Sequence, residues 1–124
     1  MRCDQLLGLR YRLGADGTDG EIDCIHMVMY ALDDMGIPHP QLEADWYEQP
    51  ALVHARAMRR WGDRIAIPAY DGDVIWLRAE TPTFAVLWDR GLLHINQTAM
   101  RVLWSPWPVP LKYSAYRYCP TRGS

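Results

Sequence analysis

The chain has 124 residues, 49% hydrophobic and 23% charged, with a net charge of −2 at pH 7. That length supports one domain with a sizeable core and not two, so residues 1–124 read as a single unit. The charge balance excludes a general electrostatic footprint for nucleic acid or an anionic membrane, and no apolar run approaches the length that inserts into a bilayer.

The N-terminus, Met1-Arg2-Cys3-Asp4-Gln5-Leu6-Leu7-Gly8, has no apolar stretch followed by a small-residue cleavage site, so export by a signal peptide is not expected. Residues 4–10 suit a short first helix, and residues 14–20 form a loop rich in Gly and Asp. The strongest helix signal follows. Asp23 is a good N-cap, Ile25, Met27, Val28, Met29, Ala31, Leu32 and Met35 follow it, and Gly36 with Pro38 ends the helix. Almost every face is apolar, which predicts a buried central helix.

A second helix is expected from Pro50, suited to a first turn, to Trp61, with Gly62 ending it. Its arginines Arg56, Arg59 and Arg60 read as a solvated face. From residue 72 the texture changes to short strands over residues 73–78, 83–88, 92–97, 101–104 and 113–119, separated by turn-rich segments that include residues 79–82. Helices first and a meander of about five antiparallel strands after them is an α+β layout.

Chemistry centres on Cys24. A cysteine in the first turn of a helix meets unpaired N–H groups and the positive end of the dipole, which favour a thiolate. The same position suits a small core residue, and both readings stay open. A nucleophile also needs a base within hydrogen-bond reach. His26 fails, because two residues along a helix turn the side chain by about 200°; it is expected to share a face with Tyr30 and Asp33 or Asp34. His39 and His54 read as surface residues. His94 lies in an apolar strand, where it is either a satisfied structural residue or the base. Reading Asp89-Arg90-Gly91 as a three-residue hairpin loop pairs Trp88 with Leu92, Val86 with His94 and Phe84 with Asn96. His94 then shares a face with Phe84 and Val86, and a slip of one residue would reverse it.

Cys3, Cys24 and Cys119 are far apart and form no CxxC pair, so no zinc site of the usual spacing and no other cofactor is expected; Cys3 and Cys119 are read as reduced thiols. Six Trp and seven Tyr stand against one Phe. That excess fits either a core with wet edges or an assembly surface, with Trp104, Trp107, Tyr113, Tyr116 and Tyr118 as candidate anchors.

Several local patterns resemble the NlpC-type cell-wall cysteine peptidases. Leu9-Arg10-Tyr11-Arg12-Leu13-Gly14 is similar to that family's Pro-Tyr-x-Trp-Gly element, Asp23-Cys24 to the start of its Asp-Cys-Ser-Gly motif, Tyr70-Asp71-Gly72-Asp73-Val74-Ile75 to its Pro-Gly-Asp-Leu-Val strand, and Leu92-Leu93-His94 to its second histidine element. The resemblance covers residues 5–97 and implies a minimal papain-like fold that cleaves the peptide stems of peptidoglycan, with Cys24 as nucleophile and Tyr11 beside it. Two departures stand out. Ile25-His26 replaces Ser-Gly, and Thr83-Phe84-Ala85-Val86 replaces the His-Val-Gly-Ile pattern that should carry the general base, with Phe84 read as standing in the base's place. Losing a general base costs about 10²–10⁴-fold in rate.

The tail, Arg101-Val102-Leu103-Trp104-Ser105-Pro106-Trp107 and then Tyr116-Arg117-Tyr118-Cys119, resembles the ends of short NlpC-like proteins encoded with phage tails. The resemblance implies a structural component of a phage tail tip or baseplate, located in the virion, with other tail proteins as partners and peptidoglycan as a possible one. Its competitor is an active peptidoglycan endopeptidase or amidase using Cys24 and His94; a cysteine acyltransferase of the same fold is a weaker third.

Overall fold

The computed structural model describes residues 1–40, 51–78, 83–96 and 98–120, the side chains of residues 51–54 excepted. The described residues form, in chain order, α1 (Cys3–Leu6), β1 (Arg10–Tyr11), β2 (Glu21–Ile22), α2 (Cys24–Asp34), α3 (Ala51–Trp61), β3 (Gly62–Ile65), β4 (Val74–Leu77), β5 (Thr83–Trp88), β6 (Gly91–Asn96), β7 (Arg101–Pro106) and β8 (Tyr113–Tyr118). The strands form one sheet in the order β2-β1-β7-β6-β5-β4-β8-β3. Only β1 and β2 pair in parallel; the other neighbours are antiparallel.

The α+β class therefore stands, but the sheet has eight strands where about five were expected. The three additions have a common physical cause. β1 and β2 are two residues each, too short to show alternation, and they exist only through pairing with each other and with β7. β3 reads Gly-Asp-Arg-Ile, a polar edge strand held by its pairing with β8. The first helix is also shorter than expected, because the chain turns at Gly8 (φ +85°) to enter β1.

α2 follows its sequence closely. The Asp23 side chain accepts from the His26 backbone N–H at 2.8 Å, and Gly36, at φ +73°, lets the Ile37 N–H return to the Leu32 carbonyl at 2.9 Å. Ile25, Met27, Val28, Ala31 and Leu32 are buried, while Asp33 and Asp34 are exposed, so the helix hides one face rather than its whole circumference. That face lies against β5. α1 packs under α2, where the Cys3 N–H donates to Asp34 Oδ2 at 2.9 Å. Burial and the Asp34 carboxylate push the Cys3 thiol up to about 12. Arg56, Arg59 and Arg60 of α3 are exposed. The expected start of that helix at Pro50, the turn over residues 79–82 and the last residue of the β6 prediction, Gln97, lie outside the described residues, as does the His54 side chain.

The hairpin register corrects the sequence reading. Asp89 and Arg90 both adopt positive φ (50° and 63°), making a two-residue loop, and Gly91 already belongs to β6 opposite Trp88. Val86 therefore pairs with Leu93, not His94. Gly91 is needed for room and not for its φ, because the Trp104 indole fills the space where a Cβ would stand. Each side of the sheet has its own apolar cluster, one with Val74, Phe84, Val86 and Leu93, the other with Ile75, Ala85, Leu87 and Leu92.

A buried ion pair ties the start of β4 to β8. Asp73 is 1% exposed and receives Arg117 Nε at 2.9 Å, Arg117 Nη2 at 2.8 Å, and the N–H groups of Ala69 and Tyr70 at 2.9 and 3.1 Å. The guanidinium also lies 4.5 Å from the centre of the Tyr70 ring. Burial alone would raise the Asp73 carboxyl, but these hydrogen bonds and the Arg117 charge outweigh it and hold it below its ordinary 3.8. A folded value below the unfolded one means stability that is complete above about pH 4 and lost as the pH falls through the folded value. Asp73→Asn should cost about 2 kcal/mol at pH 7, a figure reduced because Arg117 is partly solvated, and should flatten the acid limb of stability against pH; denaturant unfolding from pH 2 to 7 measures both.

Candidate functional site

β1, β2 and the start of α2 converge on one point. The β1–β2 pairing sets Tyr11 opposite Ile22, two residues before Cys24. Asp23 is fully buried and fixes the junction: Oδ2 accepts from the Gly14 N–H at 3.1 Å, Oδ1 accepts from the His26 N–H, and the Asp23 N–H donates to the Ala15 carbonyl at 3.0 Å. Tyr11 and Cys24 thus become neighbours. The Tyr11 hydroxyl is pushed up from its ordinary value by burial first, then by the negative charge available at Cys24 and Asp23.

The Cys24 sulfur is met by β5. The Thr83 side chain and the Phe84 backbone are the β5 groups that favour its ionised form, while the Thr83 hydroxyl itself donates to the Phe84 carbonyl at 3.4 Å. Burial nevertheless dominates, assisted by the Asp23 carboxylate, and the thiol lies above its ordinary 9.0. Of the two readings left open for Cys24, the raised thiol favours the core residue over the thiolate. The first-turn donor at His26 is engaged by the Asp23 cap, and loss of water opposes ionisation more than the remaining donors favour it.

Phe84 is not the residue at the sulfur's side-chain contact. Its ring is 4% exposed and packs edge-on against Trp76 with ring centres 4.6 Å apart. Thr83 is the β5 residue whose side chain acts on the sulfur, and sequence reasoning did not single it out. The signal was present: set first residue to first residue, Thr83-Phe84-Ala85-Val86 puts Thr83, not Phe84, at the histidine of His-Val-Gly-Ile. A threonine hydroxyl can donate to the sulfur but cannot take its proton near neutrality.

His94 is not brought to Cys24. The one-residue change in register turns it to the face opposite Phe84, Val86 and Leu93, where it pairs with Leu103 and its Nε2 lies 2.8 Å from Ser105 Oγ. Burial holds its pKa below the ordinary 6.5. His26 turns away from Cys24 as helical geometry requires, but its Nδ1 lies 2.8 Å from Asp23 Oδ1 rather than near Asp33 or Asp34. His39, half-buried, sits 3.9 Å from Asp33. Among the described residues no cluster of three or more His, Cys, Asp or Glu could hold a metal, and no helix is long and apolar enough to cross a membrane.

The candidate contact aromatics divide. Tyr116, 4% exposed, belongs to the core and is not available as an anchor. Tyr118 packs on Trp61 with ring centres 5.7 Å apart. Trp107 and Tyr113 meet edge-on at 5.2 Å over the second apolar cluster. Trp104 is 39% exposed, with its Nε1 donating to the Trp88 carbonyl at 2.9 Å.

No protein-family model matches the sequence, and no curated protein matches it either. Solved structures do. NlpC2 from Trichomonas vaginalis is similar at a TM-score of 0.65 and 17% identity over 94% of this chain. NlpC1 from the same organism is similar at 0.55 and 19%, also over 94%. The chain has an NlpC-like fold. It spans 44% and 41% of the length of those two chains. Within the NlpC-like fold the junction of Tyr11, Asp23 and Cys24 is assembled, and the position facing the sulfur from β5 carries Thr83.

The raised thiol gives a direct test. Alkylation of Cys24, read site by site by mass spectrometry, should be slow at pH 7 and keep accelerating past pH 9, beyond the ordinary thiol value of 9.0. A plateau below pH 7 would show an activated thiolate.

Proposed function

We propose that the chain is an NlpC-like module with a structural role and weak or no peptidase activity, acting as part of a phage tail tip or baseplate in the virion. The observation that carries the first half is Thr83, in place of an imidazole, at the Cys24 sulfur. The raised thiol and the placement of His94 on the opposite face of the sheet support the same reading. The tail-assembly half draws on the C-terminal resemblance, and Trp104 is the exposed aromatic best suited to a partner contact.

The competing reading is a peptidoglycan endopeptidase or amidase with Cys24 as nucleophile. Tyr11 beside Cys24 favours it, since the resemblance sets a tyrosine next to the nucleophile. That reading requires a base other than His94.

Turbidity clearing of purified cell wall separates the two. Wild type and Cys24→Ala should clear at the same background rate, whereas a wild-type rate about tenfold or more above Cys24→Ala would end the non-hydrolytic reading. Thr83→His supplies the group that is lacking and should raise cleavage, within the about 10²–10⁴-fold that general-base catalysis contributes. For the assembly role, Trp104→Asp should fold, by circular dichroism, yet fail to enter assembled tails; normal incorporation would remove Trp104 as the anchor.

A further inference from the structure

At the far edge of the sheet from β2, three basic residues and a buried hydroxyl share one face. Arg64 of β3 stands opposite Tyr116 of β8, and Trp76 of β4 stands opposite Ser114 of β8. Arg78 continues β4, with its N–H on the Lys112 carbonyl at 2.9 Å. Strand alternation therefore projects the side chains of Arg64, Arg78, Lys112 and Ser114 to the same side, with the two arginines approaching β8 from the strands on either flank. Arg64, Ile65, Ala66, Tyr113 and Ser114 line an open groove there.

Arg78 Nη2 donates to Ser114 Oγ at 2.8 Å, and Ser114 is only 7% exposed. The hydroxyl accepts in this bond, so its own proton is left to donate, and among the described residues it has no acceptor. Neither Arg64 nor Arg78 has a carboxylate partner among the described residues. Asp63, the acid next to Arg64 in sequence, alternates to the other face and lies opposite Arg117. Two guanidinium groups and a buried O–H thus lie on one face of the sheet, beside the Lys112 backbone, with no carboxylate bound to either arginine among the described residues. Paired guanidinium forks and a hydroxyl supply donors from several directions, which suits the oxygens of a tetrahedral dianion better than the two of a carboxylate.

We propose that this groove binds a phosphate group, with Arg64 and Arg78 as the charged donors, Ser114 as the neutral donor and Lys112 as a further source of attraction. The groove is open to solvent beside these donors, so the ligand is either free phosphate or a phosphomonoester.

Titration calorimetry on the full chain tests this with inorganic phosphate, phenyl phosphate and acetate. Saturable phosphate binding is expected, stronger than acetate, falling with added salt, and about tenfold weaker in each of Arg64→Gln and Arg78→Gln. Ser114→Ala should weaken it without changing the salt dependence. Tighter binding of phenyl phosphate than of inorganic phosphate would identify a phosphomonoester, and equal binding free phosphate; both support the site. Arg64 is exposed and makes no ion pair among the described residues, so Arg64→Gln should keep its thermal unfolding midpoint and remain a valid control of the fold. Acetate bound as tightly as phosphate, phosphate affinity unchanged in Arg64→Gln, or no saturation by about 10 mM phosphate would each overturn the proposal.

Discussion

Asp23 is the residue on which the arrangement of the site depends. A fully buried carboxylate is tolerated only where its oxygens are bonded, and here they collect donors from the β1–β2 loop and from the first turn of α2. The helix start is thereby fixed to the loop, and the loop carries the chain back from β1. Tyr11 and Cys24 meet because of this tie. An alanine at position 23 would leave the Gly14 and His26 N–H groups inside the protein without their acceptor.

The same cap decides the state of the thiol. A helix N-terminus stabilises an anion through its free N–H groups, so a carboxylate that already engages them competes with the sulfur. At Cys24 the competitor is the preceding residue, and its negative charge also opposes a second one nearby. What remains to favour the ionised sulfur is the Cys24 backbone together with the Thr83 side chain and the Phe84 backbone of β5. Position on a helix is therefore an insufficient guide to cysteine reactivity; the occupancy of the donors and the access of water set the outcome.

How much was legible in the sequence depended on whether the signal was local. The body of α2, its Asp23 cap and its Gly36 stop are local, and they appear where the residues place them. The strand over Thr83–Trp88 coincides with its expected bounds because its apolar run is uninterrupted. β1, β2 and β3 were not legible, since their residues carry no period and their pairing partners are remote in sequence. The hairpin register failed on a single residue. Gly91 invites the reading of a left-handed turn position, whereas its real constraint is the Trp104 ring from β7. That slip moved His94 across the sheet, and with it the one histidine that the sequence offered as a base. At Cys24 the pairing with Thr83 was within reach of the motif comparison, but the thiol's burial depends on tertiary packing that no local pattern records.

The docking of α1 under α2 makes Cys3 a reporter of the whole fold. Its thiol is buried, and a value of about 12 keeps it almost entirely protonated near neutrality. Reagents in solution can reach it only when α1 lifts away from Ala31 and Asp34. Labelling of Cys3 therefore keeps time with opening events at that seam, whereas Cys119, half-buried after β8, answers to local access at the opposite margin of the sheet. One chain thus carries two clocks, distinguished by where each sulfur is enclosed.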